Sequence, residues 1–76
     1  MSEKINRGGI PPPSVFADID YPALIVYDLQ GQRFEGAKVS LESRGDREGT
    51  WVLTIRLDSG ELKSFTQNDV STIRHY

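Results

Sequence analysis

The sequence predicts a small all-β domain, and three observations carry that expectation. Trp51-Val52-Leu53-Thr54-Ile55-Arg56-Leu57 places Trp51, Leu53, Ile55 and Leu57 on one side of a period-two pattern. Val52, Thr54 and Arg56 fall on the other side, as in a strand with one buried face. Ala23-Leu24-Ile25-Val26-Tyr27 is a near-continuous apolar run of strand length that calls for cover on both faces. The runs are separated by glycine-bearing turn chemistry at Asp28-Leu29-Gln30-Gly31-Gln32 and at Asp58-Ser59-Gly60.

Size and composition bound what such a domain can be. Seventy-six residues make one domain with a small core and marginal stability. Without cysteine there are no disulfides or thiolate ligands, and one His offers little to a structural zinc. A reducing, cytoplasmic setting is expected, because no signal-peptide apolar region opens the sequence and the longest apolar run, residues 22–27, is far too short to span a bilayer. A net charge of -2 provides no overall field towards nucleic acid or anionic membrane.

Residues 1–20 read as a flexible arm, with Gly8-Gly9 and an extended Pro11-Pro12-Pro13 tract, and residues 21–76 as the folded unit. Ser14 is expected to cap a short helical turn through Asp18 whose apolar side is Val15, Phe16 and Ile19. That turn can pack on its own domain or on a neighbouring chain. After the first strand and its Gly31 turn, the chain returns as residues 33–42. Ala37, Val39 and Leu41 alternate towards the core there, but Phe34 has the opposite parity, which requires one extra residue. Gly36 is the expected site of that bulge or of a sharp bend. Residues 43–49 form a polar, exposed and mobile loop.

The next hairpin sets a register. A three-residue loop of Asp58, Ser59 and Gly60 pairs Leu57 with Glu61, buries Phe65 beside Leu53 and leaves Leu62 outside next to Arg56. A two-residue loop would reverse every side chain, exposing Phe65. Burial of the larger aromatic favours the first. Thr66 and Asp69 have capping-box spacing and predict one helical turn that aims Val70 inward, before residues 72–76 close as a last strand.

This layout resembles the small SH3-like barrels, among them Tudor, Sm-like and KOW domains. Within residues 24–74 the likeness is to Tudor domains in particular. It rests on Ile25-Val26-Tyr27, the turn at residues 28–31, Arg33-Phe34-Glu35-Gly36-Ala37-Lys38-Val39, and the strand ending Leu57-Asp58-Ser59-Gly60. Phe65 and Val70 follow the hairpin glycine by five and ten positions, as in that family. The resemblance implies an all-β, five-stranded SH3-like barrel with one short helical turn before the last strand and an extended N-terminal arm. It also implies binding of a peptide, a nucleic acid or another copy, without chemistry. Tyr27 and Phe34 stand near two positions of the family's methyl-lysine cage. The further aromatic before the hairpin glycine has no counterpart in Arg56-Leu57-Asp58-Ser59-Gly60, so cage recognition does not follow.

Other chemistry has little to build on. Asp18 with Asp20, and Asp58 with Glu61, are close carboxylates without a third ligand, and Asp58 reads as a turn former. His75 has no nucleophile in a suggestive context, and no glycine-rich phosphate loop opens a helix. Arg44-Gly45-Asp46 spells a tripeptide similar to that of integrin-binding loops, but reads as an ordinary charged loop. The expected function is therefore a non-enzymatic module acting through protein contacts, including homo-oligomer formation, with no cofactor, metal, membrane or small-molecule substrate. Its contact residues are expected among Val15, Phe16, Tyr27, Phe34, Val52, Arg56, Leu62, Lys63 and Arg74. The alternative is RNA or DNA binding through Arg56, Lys63 and Arg74 on successive strands, with Arg33, Lys38, Arg44 and Arg47 nearby. In the favoured register Arg56 faces outward and Lys63 snorkels from the core-side rim.

Overall fold

The computed structural model describes residues 12–17 and 19–75. A single 3-10 turn, Ser14–Phe16, precedes five strands: β1 (Leu24–Asp28), β2 (Arg33–Ser43), β3 (Trp51–Leu57), β4 (Leu62–Thr66) and β5 (Val70–His75). All ladders are antiparallel and the spatial order is β4-β3-β2-β1-β5. This all-β, five-stranded antiparallel sheet is compatible with an SH3-like fold. No ladder joins β4 to β5, so the sheet is open and ends on those two strands. No helix among the described residues is long and apolar enough to cross a membrane.

β2 holds the sheet together by changing partner along its length. Residues 33–36 pair with β1 and residues 36–43 with β3, so Gly36 faces Leu24 on one side and Leu57 on the other. The extra residue that the parity of Phe34 demands is present, but at Val39 rather than Gly36. Lys38 pairs with Ile55 and Ser40 with Thr54, leaving Val39 unpaired and 46% exposed. Gly36 stays in the ladder because β3 crosses it too closely for any side chain. Ala37 and Val39 are therefore exposed, against expectation, while Phe34 and Leu41 pack on the core.

The core is built from alternate positions, as strand geometry requires. Leu24 and Val26 of β1, Leu53 and Ile55 of β3, Phe65 of β4 and Val70 of β5 are buried together. Phe16 and Ile19 join them, at 2% and 6% exposure. The segment before the sheet thus packs on its own domain, where each such side chain contributes about 1.5–3 kcal/mol. Its 3-10 turn lies against β5. Ser14 is the first residue of that turn rather than its cap; Pro13 occupies the cap position and offers no side-chain bond. Lys38, half-buried on β2, reaches out to Asp20 at 2.6 Å and ties this segment down further.

The three-residue hairpin loop forms as expected. Leu57 N donates to Glu61 O and Gly60 N to Leu57 O, with Gly60 at φ +93°. Phe65 faces Leu53 and is buried, while Leu62 faces Arg56 and is 57% exposed. Ser59 Oγ, not the Asp58 carboxylate, accepts a backbone N–H in this turn, from Glu61. The helical turn predicted after β4 is instead a tight turn of residues 67–69. Asp69 N donates to Thr66 O, and the Asp69 carboxylate accepts from both Thr66 N and Thr66 Oγ1. Three residues suffice because Val70 pairs at once with Asp28.

Candidate functional site

Two surfaces flank the turn between β1 and β2. Asp28 Oδ1 accepts from the backbone N–H groups of Gln30 and Gln32, Gly31 sits at φ +83°, and the closed turn thrusts Leu29 into solvent at 68% exposure. One open cleft of about 300 Å³ lies between this turn and β4, lined by Asp28, Leu29, Gln30, Lys63, Ser64, Phe65 and Asp69. A second, of about 460 Å³, lies between the same turn and β5, with Tyr27, Thr72 and Arg74 among its walls. Leu29 lines both, yet sequence reasoning passed over it. The available signal was a large apolar residue at the tip of an Asp-Gly turn.

Ladder parity decides which of the expected contact residues share a surface. Val26 faces Phe34 whereas Tyr27 faces Arg33, so Tyr27 and Phe34 project from opposite sides of the sheet and build no common cage. Phe34 turns inward, 5.4 Å from the Phe65 ring. Lys63, paired with Ile55, rises from the core-side rim, its Nζ 5.0 Å from the centroid of Phe34 and 5.9 Å from that of Phe65. A cation held over two rings is stabilised by their quadrupoles. Its charge also reaches Asp69, whose carboxyl is held below its ordinary value mainly by the hydrogen bonds from Thr66.

Val52, Arg56 and Leu62 do share the other side of the β3–β4 pair. There the Thr54 and Ser64 hydroxyls meet at 2.9 Å, between the Val52–Thr66 and Arg56–Leu62 rows. Phe16 lies in the chain's own core and Val15 packs against it, so Phe16 has no surface to give a neighbour. Arg74 stands beside Ile25, which its β2 partner Glu35 flanks on the far side. The basic side chains are thus dispersed: Arg33 is bridged to Glu35 and Lys38 to Asp20.

The backbone of β4 supplies the sharpest feature. The Leu57–Glu61 bond marks a hydrogen-bonded pair, and alternation makes Ile55–Lys63 and Leu53–Phe65 the next such pairs. The N–H and C=O groups of Leu62, Ser64 and Thr66 therefore point away from β3. Thr66 satisfies both of its groups through Asp69. Leu62 and Ser64 remain, and among the described residues no strand lies beyond them.

The loop between β2 and β3 is more tightly bonded than its composition implies. Arg44 N donates to Thr50 O, Thr50 N to Asp46 Oδ1, and Gly49 N to Asp46 O. The two bonds from Thr50 hold the Asp46 carboxyl below its ordinary value, so the acid of the Arg44-Gly45-Asp46 tripeptide serves its own loop. Gln67 clasps this loop from the β4–β5 turn, accepting from Trp51 N at 2.8 Å and donating to Gly49 O at 2.9 Å. At the far end of the sheet Tyr21 stacks on His75 with ring centroids 3.6 Å apart. Among the described residues no three His, Cys, Asp or Glu side chains gather as a metal site, and the pair of Asp18 and Asp20 lies partly outside those residues. Compared with known proteins, the chain matches no family model, no curated protein and no solved structure.

Proposed function

We propose that this chain is a non-enzymatic binding module, of SH3-like and specifically Tudor-like layout, that acts through protein contacts and associates with further copies of itself along β4. The observation that carries this reading is the outer edge of β4, where the backbone groups of Leu62 and Ser64 have no strand partner among the described residues. An edge with unpaired donors and acceptors is a template for another strand. Leu62 adds an exposed apolar side chain at the same place. The usual devices that blunt an edge are sparse: β4 contains no proline, and its one lysine is turned over the Phe34 ring. Sedimentation equilibrium over a wide concentration range tests the reading. Average mass rising with concentration supports it, and a monomer throughout removes it.

Nucleic-acid binding is the second reading. Tyr27, Thr72 and Arg74 line one cleft, which offers an aromatic face beside a guanidinium, a pairing that stacks bases and holds phosphates. Titration with single-stranded and duplex oligonucleotides at low salt decides it. Affinity that falls steeply with added salt and is lost in Arg74→Ala supports this reading, and absence of binding removes it.

A further inference from the structure

An antiparallel strand can add to β4 only in registers where its own outward-facing backbone groups meet those of Leu62 or Ser64. For two identical copies related by a two-fold axis, three such registers exist. Centred on Lys63, they oppose two lysines directly, which is repulsive. Centred on Ser64, they oppose Leu62 to Thr66, whose N–H and C=O are already engaged by Asp69. Centred on Leu62, they oppose Ser64 to Gly60, whose N–H is likewise engaged, by Leu57 O, but they alone oppose Glu61 of each copy to Lys63 of the other, twice, with the two Leu62 side chains meeting on the opposite face.

We propose that two copies pair antiparallel along β4 in this last register, joined by Leu62 backbone bonds and by two Glu61–Lys63 contacts between copies. The proposal rests on the self-association reading and specifies its geometry. Glu61 is exposed at the end of the hairpin loop, and Lys63 stands on the same side of the strand two residues on. Within one chain, Lys63 meets the rings of Phe34 and Phe65 and the Asp69 charge, so a second carboxylate from the facing copy completes a site that is already acidic and aromatic. One partner is acidic and the other basic, and facing cross-strand neighbours of opposite sign attract.

Two experiments test it in the full chain, which has no native cysteine to interfere. First, Glu61→Cys and Lys63→Cys variants are mixed with oxidised glutathione. Facing non-hydrogen-bonded positions stand about 4.5 Å apart at Cα, within disulfide range, whereas position 61 of one copy lies about 8 Å from position 61 of the other. The mixed 61–63 crosslink is expected to exceed either like-with-like crosslink by roughly tenfold. Second, Glu61→Lys alone and Lys63→Glu alone should each raise the dimer dissociation constant roughly tenfold, and mixing the two variants should restore it, because every facing pair then carries opposite charges. Circular dichroism confirms that each variant is folded. Association that persists without the mixed crosslink or the charge rescue overturns this register while leaving self-association intact. A wild-type chain that stays monomeric removes both.

Discussion

A methyl group on Gly36 would stand 2.2 Å from the carbonyl oxygen of Arg56. That separation lies well inside contact distance, and the obstacle is the backbone of Arg56, which is paired with Ala37 on one side and Leu62 on the other and cannot swing aside. Gly36→Ala is therefore expected to destabilise by about 3 kcal/mol, the upper end of the usual overpacking range. Urea unfolding checks this as a lower midpoint with an unchanged slope. Gly31→Ala is the contrast: its added methyl meets nothing, and any loss comes from φ +83° alone.

Opposite fates are expected for two residues of one strand. Phe65→Ala should remove about 3–5 kcal/mol from the folded monomer, since the ring is buried against Leu53 and Phe34. Leu62→Ala, measured at low protein concentration, should change monomer stability by less than about 0.5 kcal/mol. Equal effects at the two positions would contradict the hairpin register.

Phe16→Ala is expected to destabilise by about 3 kcal/mol, because its side chain is part of the central cluster with Leu24 and Val26. Thermal melts of the full chain read it directly. An unchanged melting temperature would mean that the segment before the sheet contributes nothing to the folded unit.

Gln67→Ala removes the side-chain acceptor of Trp51 N and the side-chain donor to the carbonyl of the buried Gly49. The expected loss is about 1–3 kcal/mol. Hydrogen exchange at Trp51 should accelerate more than at Ile55, whose ladder does not involve Gln67.

Acid should weaken the domain through Asp46 and Asp69. Hydrogen bonds from Thr50 and Thr66 hold both carboxyls below their ordinary value. Their contribution is complete above the unfolded value near 4, and it fades as pH falls through the lower folded values. Asp69 is exposed and Asp46 no more than half-buried, so each share is small. Asp69→Asn keeps an acceptor for Thr66 N but no longer titrates. Its stability should fall less steeply than that of the wild type as pH drops below about 4.

Much of the fold was legible because the β3–β4 hairpin is written redundantly. Period-two alternation, the Gly60 turn and the advantage of burying Phe65 all select one register. The position of the bulge was not legible. Parity showed that β2 needs one extra residue, but Gly36 is reserved by the close approach of Arg56, a long-range contact that no local pattern reveals. Thr66 and Asp69 carried a capping spacing that proved to be a tight turn, because the same side-chain bonds serve a turn when the next strand must begin immediately. Of the candidate site, the exposure of Leu62 and Arg56 and the rim position of Lys63 followed from the register. That Tyr27 and Phe34 diverge followed from the β1–β2 pairing, which the turn alone left open. The unpaired outer edge of β4 required the strand order, and the strand order is a property of the whole chain.

The central claim is that β4 is where copies meet, and Leu62→Pro tests it most directly. The Leu62 N–H points away from β3, so proline at this first residue of β4 spares the ladder while removing the donor that joins the copies. Sedimentation velocity should show the wild type shifting to a heavier species as concentration rises, with the folded Leu62→Pro variant remaining monomeric. Identical association of the two chains, or a wild type that never associates, would contradict the account.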